Sequence, residues 1–133
     1  MKGSCHCGTL AYEVDAIEGP ASHCHCITCR KTHAAAFVTT ARVARDKFRW
    51  LQGADRVAAY ESSPGKKRHF CPVCGCHLVA AREGQPHVIL RMATLDADPG
   101  IRPAFHIWRS HGVAWLEEDG DLPSYAEWPA PRG

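Results

Sequence analysis

The sequence predicts a mainly β fold, a small sandwich or open barrel of short strands tied by CxC/CxxC cysteine knuckles. Three observations predict it. Apolar and polar residues alternate in short runs separated by turn residues, the pattern of half-buried strands. No window longer than about twelve residues keeps a clean helical period. Eight cysteines gather in three tight clusters, two of which contain a Cys-Gly step.

The elements follow in order. GTLAYEVDA, residues 8–16, sets Leu10, Tyr12 and Val14 against Thr9, Ala11 and Glu13, a half-buried strand. EGPAS, residues 18–22, reads as a turn. ITCRKTHA, after the second cysteine cluster, is expected to form one short helical turn. AAFVTTARV (35–43) and KFRWLQG (47–53) read as strands. VAAYESS (57–63) is another and stops at the turn Ser63-Pro64-Gly65. KKRHFC leads into the third cysteine cluster. HLVAARE and HVILRMATLD read as a hairpin around Gly84-Gln85-Pro86. DADPGIRP is a loop or one helical turn, and FHIWRSHGVAWL is strand-like with a break at residues 110–112. The Pro-rich tail LPSYAEWPAPRG is expected to wrap the surface.

A chain of 133 residues is the size of one domain, so residues 1–133 are expected to share one core. Hydrophobic residues make up 45% and charged ones 23%, an ordinary globular balance. The net charge of +2, from 16 basic and 14 acidic residues, is too small to argue for nucleic acid or an anionic membrane. No basic stripe interleaves with aromatics, which also argues against nucleic acid. No apolar run approaches the ~20 residues of a membrane span. The start, MKGSCHCG, has no apolar signal region, and a cytoplasmic location is expected.

That location changes the meaning of eight cysteines. Reducing compartments disfavour disulfides, and cysteines spaced this closely suit a metal better. Cys71-Pro-Val-Cys74-Gly75 is a metal knuckle in which a two-residue gap turns both sulfurs toward one ion. Such a knuckle supplies two ligands, and Cys5 and Cys7, followed by Gly8, are its natural partners. The four together are expected to form a structural zinc site that adds folding energy directly. Cys24, Cys26 and Cys29 in HCHCITC make a second group. Cys76 could close it into a four-cysteine structural site, or the triplet holds zinc with the fourth position left to water or a substrate thiol.

GSCHCGTLAYEV, HCHCITCRKTHAAAF and RHFCPVCGCHL together resemble the glutathione-dependent formaldehyde-activating enzyme family, which includes centromere-protein-V-like proteins. HIW, a later Trp and the LPSY tail are similar too. The resemblance spans nearly the whole chain and rests on seven cysteines. It implies a small complex β-sheet sandwich with zinc-ribbon-like CxC/CxxC knuckles. It implies that Cys5, Cys7, Cys71 and Cys74 hold a structural zinc. It implies that Cys24, Cys26 and Cys29 hold a second, catalytic zinc, and it gives Cys76 no role.

Three thiolates leave zinc a weak Lewis acid that is better at holding an incoming thiol than at making hydroxide. The expected reaction is therefore addition of glutathione to formaldehyde to give S-(hydroxymethyl)glutathione, the work of a carbon–sulfur lyase-type enzyme. A non-catalytic two-zinc binding module is the alternative, and redox cycling of the triplet is a third reading. Arg30, Lys31 and the run Lys66-Lys67-Arg68 read as solvated charges rather than grips for glutathione carboxylates. His23, His25, His33, His69 and His77 lie near cysteines but read as hydrogen-bonded structural residues, with alternation pointing His25 away from Cys26. Trp50, Phe70, Phe105, Trp108, Trp115 and Trp128 read as core or edge packing.

Overall fold

The structure is a computed structural model and describes residues 1–116 and 120–129. Its strands are β1 (Lys2–Ser4), β2 (Ala11–Val14), β3 (Glu18–Cys24), β4 (Val38–Ala44), β5 (Phe48–Gln52), β6 (Ala58–Ser63), β7 (Lys66–Phe70), β8 (His77–Arg82), β9 (His87–Arg91) and β10 (Pro103–Ile107). One helix, α1 (Ile27–His33), follows β3. Among the described residues the strands form two sheets. One has the order β1-β2-β5, the other β10-β3-β4-β9-β8-β7-β6. β10 runs parallel to β3, and the neighbouring strands elsewhere are antiparallel.

The core lies between the two sheets, and period-two alternation puts it there. In β2, Tyr12 and Val14 are fully buried while Ala11 and Glu13 are half-buried. Leu10, just before β2, joins them against Val43, Leu78, Val88 and Leu90 of the larger sheet. Each such side chain stabilises the fold by about 1.5–3 kcal/mol when taken from water. Tyr12 is the hub. Its ring stacks on Phe48 at 5.3 Å and meets Trp50 edge-on at 6.4 Å, and its hydroxyl lies 2.7 Å from Thr94 Oγ1.

Gly3 is the register partner of Tyr12 across β1 and β2. A Cβ at Gly3 would fall 2.2 Å from the Tyr12 ring, so only glycine lets the ring lie there. Gly3→Ala is expected to destabilise the protein by about 1–3 kcal/mol, as overpacking does. A thermal melt checks it, and an unchanged midpoint would mean that the ring has room to move.

The structure departs from the sequence expectations in several places. Residues 18–22 are not a turn but the first part of β3. The pairing with β4 shifts register between Glu18 and Ser22, so a bulge absorbs the Gly-Pro step and the strand continues. Lys2–Ser4 and Lys66–Phe70 are strands that local pattern did not mark. The strand-like stretch 105–116 ends at Ile107, because Trp108 takes a left-handed φ of 59° and turns the chain into a 3₁₀ turn, Arg109–His111. Trp50 packs on the core and Phe70 stacks on His77, as expected, but Phe105, Trp108, Trp115 and Trp128 are exposed. The tail is exposed over its described residues, and residues 130–133 of that expectation lie outside them. No helix among the described residues is long and apolar enough to cross a membrane.

Candidate metal centres and the cavity beside them

Cys5 and Cys7 lie in the loop joining β1 to β2, and Cys71 and Cys74 in the loop joining β7 to β8. The two sheets thus bring the two knuckles together. Cys7 Sγ is 3.7 Å from both Cys5 Sγ and Cys71 Sγ, and the four sulfurs form one group able to hold a metal ion. Local backbone geometry aims them. Gly8 and Gly75 take φ of 83° and 79°, which lets each knuckle fold back on itself. The Leu10 amide donates to Cys5 Sγ at 3.2 Å. Thr9 hydrogen-bonds Cys7 and lowers that exposed thiol to about 6, favouring the thiolate a metal needs.

The second group forms at the end of β3. Cys24, Cys26 and Cys29 cluster with Val38 and Ile107 in a small satellite core apart from the main one. Cys26 is the N-cap of α1, and its sulfur accepts the Cys29 amide at 3.2 Å. Alternation along β3 therefore gives way to a helical turn, and this change of period brings the three sulfurs to one point. Among the described residues no fourth Cys, His, Asp or Glu joins them. Cys76 belongs to neither group, and its thiol faces the His77 carbonyl at 3.6 Å. His25 is fully buried and lies 2.8 Å from His106, while His23 pairs with Thr39 at 2.9 Å.

Arginine charge surrounds the triplet. Arg68, expected on the surface, is 3% exposed, and its Nη1 donates to Cys29 Sγ at 3.6 Å and its Nε to Ser62 at 2.9 Å. Cys24 donating to Cys29 holds the Cys29 thiol down at about 4, with Arg68 adding to the lowering, and the same bond together with burial pushes Cys24 up. Arg91, at the end of β9, is 4% exposed and acts electrostatically on all three cysteines. Burial lowers its guanidinium to about 10, so it is still a cation at neutral pH. The sequence held a signal for Arg68. In a strand, Lys66 and Arg68 share one face and Lys67 takes the other, which is the exposed one. Arg91 carried no local signal beyond closing an apolar run.

A cavity of about 280 Å³ opens at the triplet, lined by Cys26, Ser62, Lys66, Arg68, Arg82 and Trp108 among others, with no acidic residue among the described residues of its wall. The 3₁₀ turn that carries its outer wall is latched to α1. Arg30, also expected to be solvated, donates to the His111 carbonyl at 2.6 Å, and His111 Nδ1 faces the Ile27 amide at 3.4 Å.

The match to known proteins now becomes decisive. The family model described as "Glutathione-dependent formaldehyde-activating enzyme" matches residues 1–111. The chain belongs to the glutathione-dependent formaldehyde-activating enzyme family. The matched span holds all three cysteine clusters and ends at His111, the residue that fixes the cavity wall to α1. A crystal structure of a Rhodobacter sphaeroides protein is similar to this family member, with a TM-score of 0.65 and 27% identity over 80% of this chain and 99% of the other.

On the far side of the triplet, His33 packs against His77 at 4.7 Å between ring centroids. Burial, and then the charges of Arg91, His77 and Arg68, push His33 down to about 3 from 6.5. The unfolded chain therefore binds a proton between those two values that the folded chain refuses. Stability from this group is full above pH 6.5 and is lost as pH falls toward 3. His33→Gln is expected to lose less thermal stability than the wild type between pH 7 and pH 5. Melts of both proteins at the two pH values check it, because metal-ligand protonation is common to both. Equal losses would show that His33 contributes no acid sensitivity.

Proposed function

We propose that the chain is a zinc enzyme that joins the glutathione thiol to formaldehyde and forms S-(hydroxymethyl)glutathione, a carbon–sulfur lyase-type activity. The observation that carries this reading is a cluster of three thiols with no fourth protein ligand among the described residues, its Cys26 opening on a cationic cavity. Cys24, Cys26 and Cys29 would hold the catalytic zinc, and Cys5, Cys7, Cys71 and Cys74 the structural one. The donor sets suit that metal. Four sulfurs at about 2.3 Å from a tetrahedral zinc stand about 3.8 Å apart, and the sulfur pairs at 3.7 Å fit this spacing. All eight cysteines are free thiols, which a cytoplasmic location, part of the same proposal, would preserve. We also take residues 1–133 as one domain.

When bound, zinc with three soft ligands would supply a site that keeps a fourth, incoming thiol as its thiolate. The chain's own residues do the rest. Lys66, Arg68 and Arg82 line the cavity, and Lys66 and Arg82 suit the carboxylates of glutathione. Trp108 gives the cavity an apolar wall. The thiolate sulfur forms a bond to the formaldehyde carbon, the carbonyl π electrons move to oxygen, and that oxygen takes up a proton. Lys66, half-buried with its pKa lowered by burial, is placed to give one.

The test is the exchange rate between free formaldehyde and S-(hydroxymethyl)glutathione, measured by NMR with zinc-loaded protein. A rate at least about tenfold above the uncatalysed one, about 1.4 kcal/mol of barrier, supports the proposal. Full zinc loading with no rate gain sinks it and favours the binding module.

A further inference from the structure

Two buried cations in this fold have no carboxylate to answer them among the described residues. Arg68 and Arg91 are 3% and 4% exposed, and among the described residues no carboxylate forms an ion pair with either. Arg68 is shared between Ser62 and Cys29. Arg91 is less satisfied, for its Nε and Nη2 have no hydrogen-bond partner among the described residues. Unanswered buried charge is strongly unfavourable, so something must balance it. The nearby histidines add no further charge, since burial lowers both His33 and His77.

The three-cysteine cluster is the counterpart. Arg68 touches Cys29, and Arg91 interacts with Cys29, Cys24 and Cys26. Zinc with three thiolates carries one net negative charge. The two buried guanidiniums alone turn that into one net positive charge inside the protein, and half-buried Lys66 adds to the same side. A neutral fourth ligand leaves the excess in place, and a monoanionic one removes it. A soft anion satisfies both the charge and the metal.

We propose that Arg68 and Arg91 are specificity-determining residues that make the fourth position of the Cys24-Cys26-Cys29 centre select a monoanion, a thiolate above all, over a neutral donor. The inference rests on the zinc reading of the triplet. It goes beyond that reading by assigning ligand choice to two arginines outside the cysteine motif. Neither acts by touching the reacting atoms. Each acts through the charge of the centre, at a range where the low-dielectric interior keeps Coulomb forces strong.

The experiment replaces zinc with cobalt and follows the cobalt absorption bands during titration with azide, glutathione and imidazole. The four-cysteine centre gives a constant background. In Arg91→Met and Arg68→Met, azide and glutathione are expected to bind at least about tenfold more weakly, about 1.4 kcal/mol. Imidazole, a neutral donor, is expected to bind as it does to the wild type. Arg91→Lys, which keeps the charge, is expected to restore most of the azide affinity. A merely structural role would weaken azide and imidazole together, and that result overturns the proposal. So does unchanged azide binding in both methionine variants, or a wild type that binds no anion. Wild type that binds azide but refuses glutathione would defeat the proposed function and leave this inference standing. If Arg91→Met fails to fold, Arg68→Met carries the same comparison.

Discussion

Cys71→Ser is expected to give a chain that holds one zinc ion instead of two and no longer folds stably. The reason lies in where the four sulfurs come from. Cys5 and Cys7 belong to the small sheet and Cys71 and Cys74 to the large one, so the metal would fasten one sheet to the other. Cys5 and Cys71 are 4% and 0% exposed and belong to the main core cluster, beside Leu10 and Leu78. Structural zinc binding contributes about 10–16 kcal/mol in small zinc domains. A whole domain of this size is stable by only about 5–15 kcal/mol. Losing the site therefore removes as much free energy as the fold has to spare. Native mass spectrometry with a parallel melt checks this. Two zinc ions retained, or a melting midpoint within a few degrees of the wild type, would show that the staple is dispensable.

Cys29→Ser is expected to do the opposite. The chain should keep its fold and its four-cysteine zinc, lose the other ion, and drop to the uncatalysed rate of S-(hydroxymethyl)glutathione formation. The triplet sits in a satellite cluster with Val38, away from the Tyr12 core, so its loss leaves the sheets packed. Cys29 also accepts the Arg68 hydrogen bond, and serine cannot serve as the same soft thiolate anchor. A small fall in melting temperature with no remaining rate gain is the predicted pair of results. Cys26→Ser, at a half-exposed position, repeats the test where folding is least at risk. Full activity in either variant would remove the triplet from the mechanism. The same substitution at two cysteine clusters thus separates a structural role from a catalytic one.

Much of the fold was legible because period two is a local signal. β2 shows it well, with Tyr12 and Val14 buried as their alternation requires. The strands over 48–52, 58–63, 77–82 and 87–91 fall inside the stretches that alternation and turn residues marked, and the strand over 38–44 overruns its stretch by Ala44. The misses share one cause, a neighbour that local pattern cannot see. β1 is three residues long and is held by its pairing with β2. β3 runs through a Gly-Pro step because β4 and β10 flank it on both edges. Trp108 leaves the strand through a left-handed φ that nothing in its own chemistry announces.

The candidate site divides along the same line. Sequence by itself determined the candidate donors. Seven cysteines at CxC, CxCxxC and CxxC spacing limit the ligand choices, because such short gaps turn sulfurs toward one ion in almost any local fold. Their grouping into four and three is what the family resemblance implies, and the folded chain brings the same groups together while leaving Cys76 out. Tertiary structure alone decided what surrounds them. Arg68 and Arg91 sit on β7 and β9, which flank β8 in the sheet, and each reads as an ordinary strand residue until the sheet sets both beside the triplet. The cavity wall comes from the start of α1, β6, β7, β8 and the turn after β10, segments that run in sequence from Cys26 to His111. Ligand identity is a matter of side-chain chemistry over a few residues, and a sequence carries that. Charge balance and access to the open position are sums over everything nearby in space, and only the folded chain fixes which groups are near.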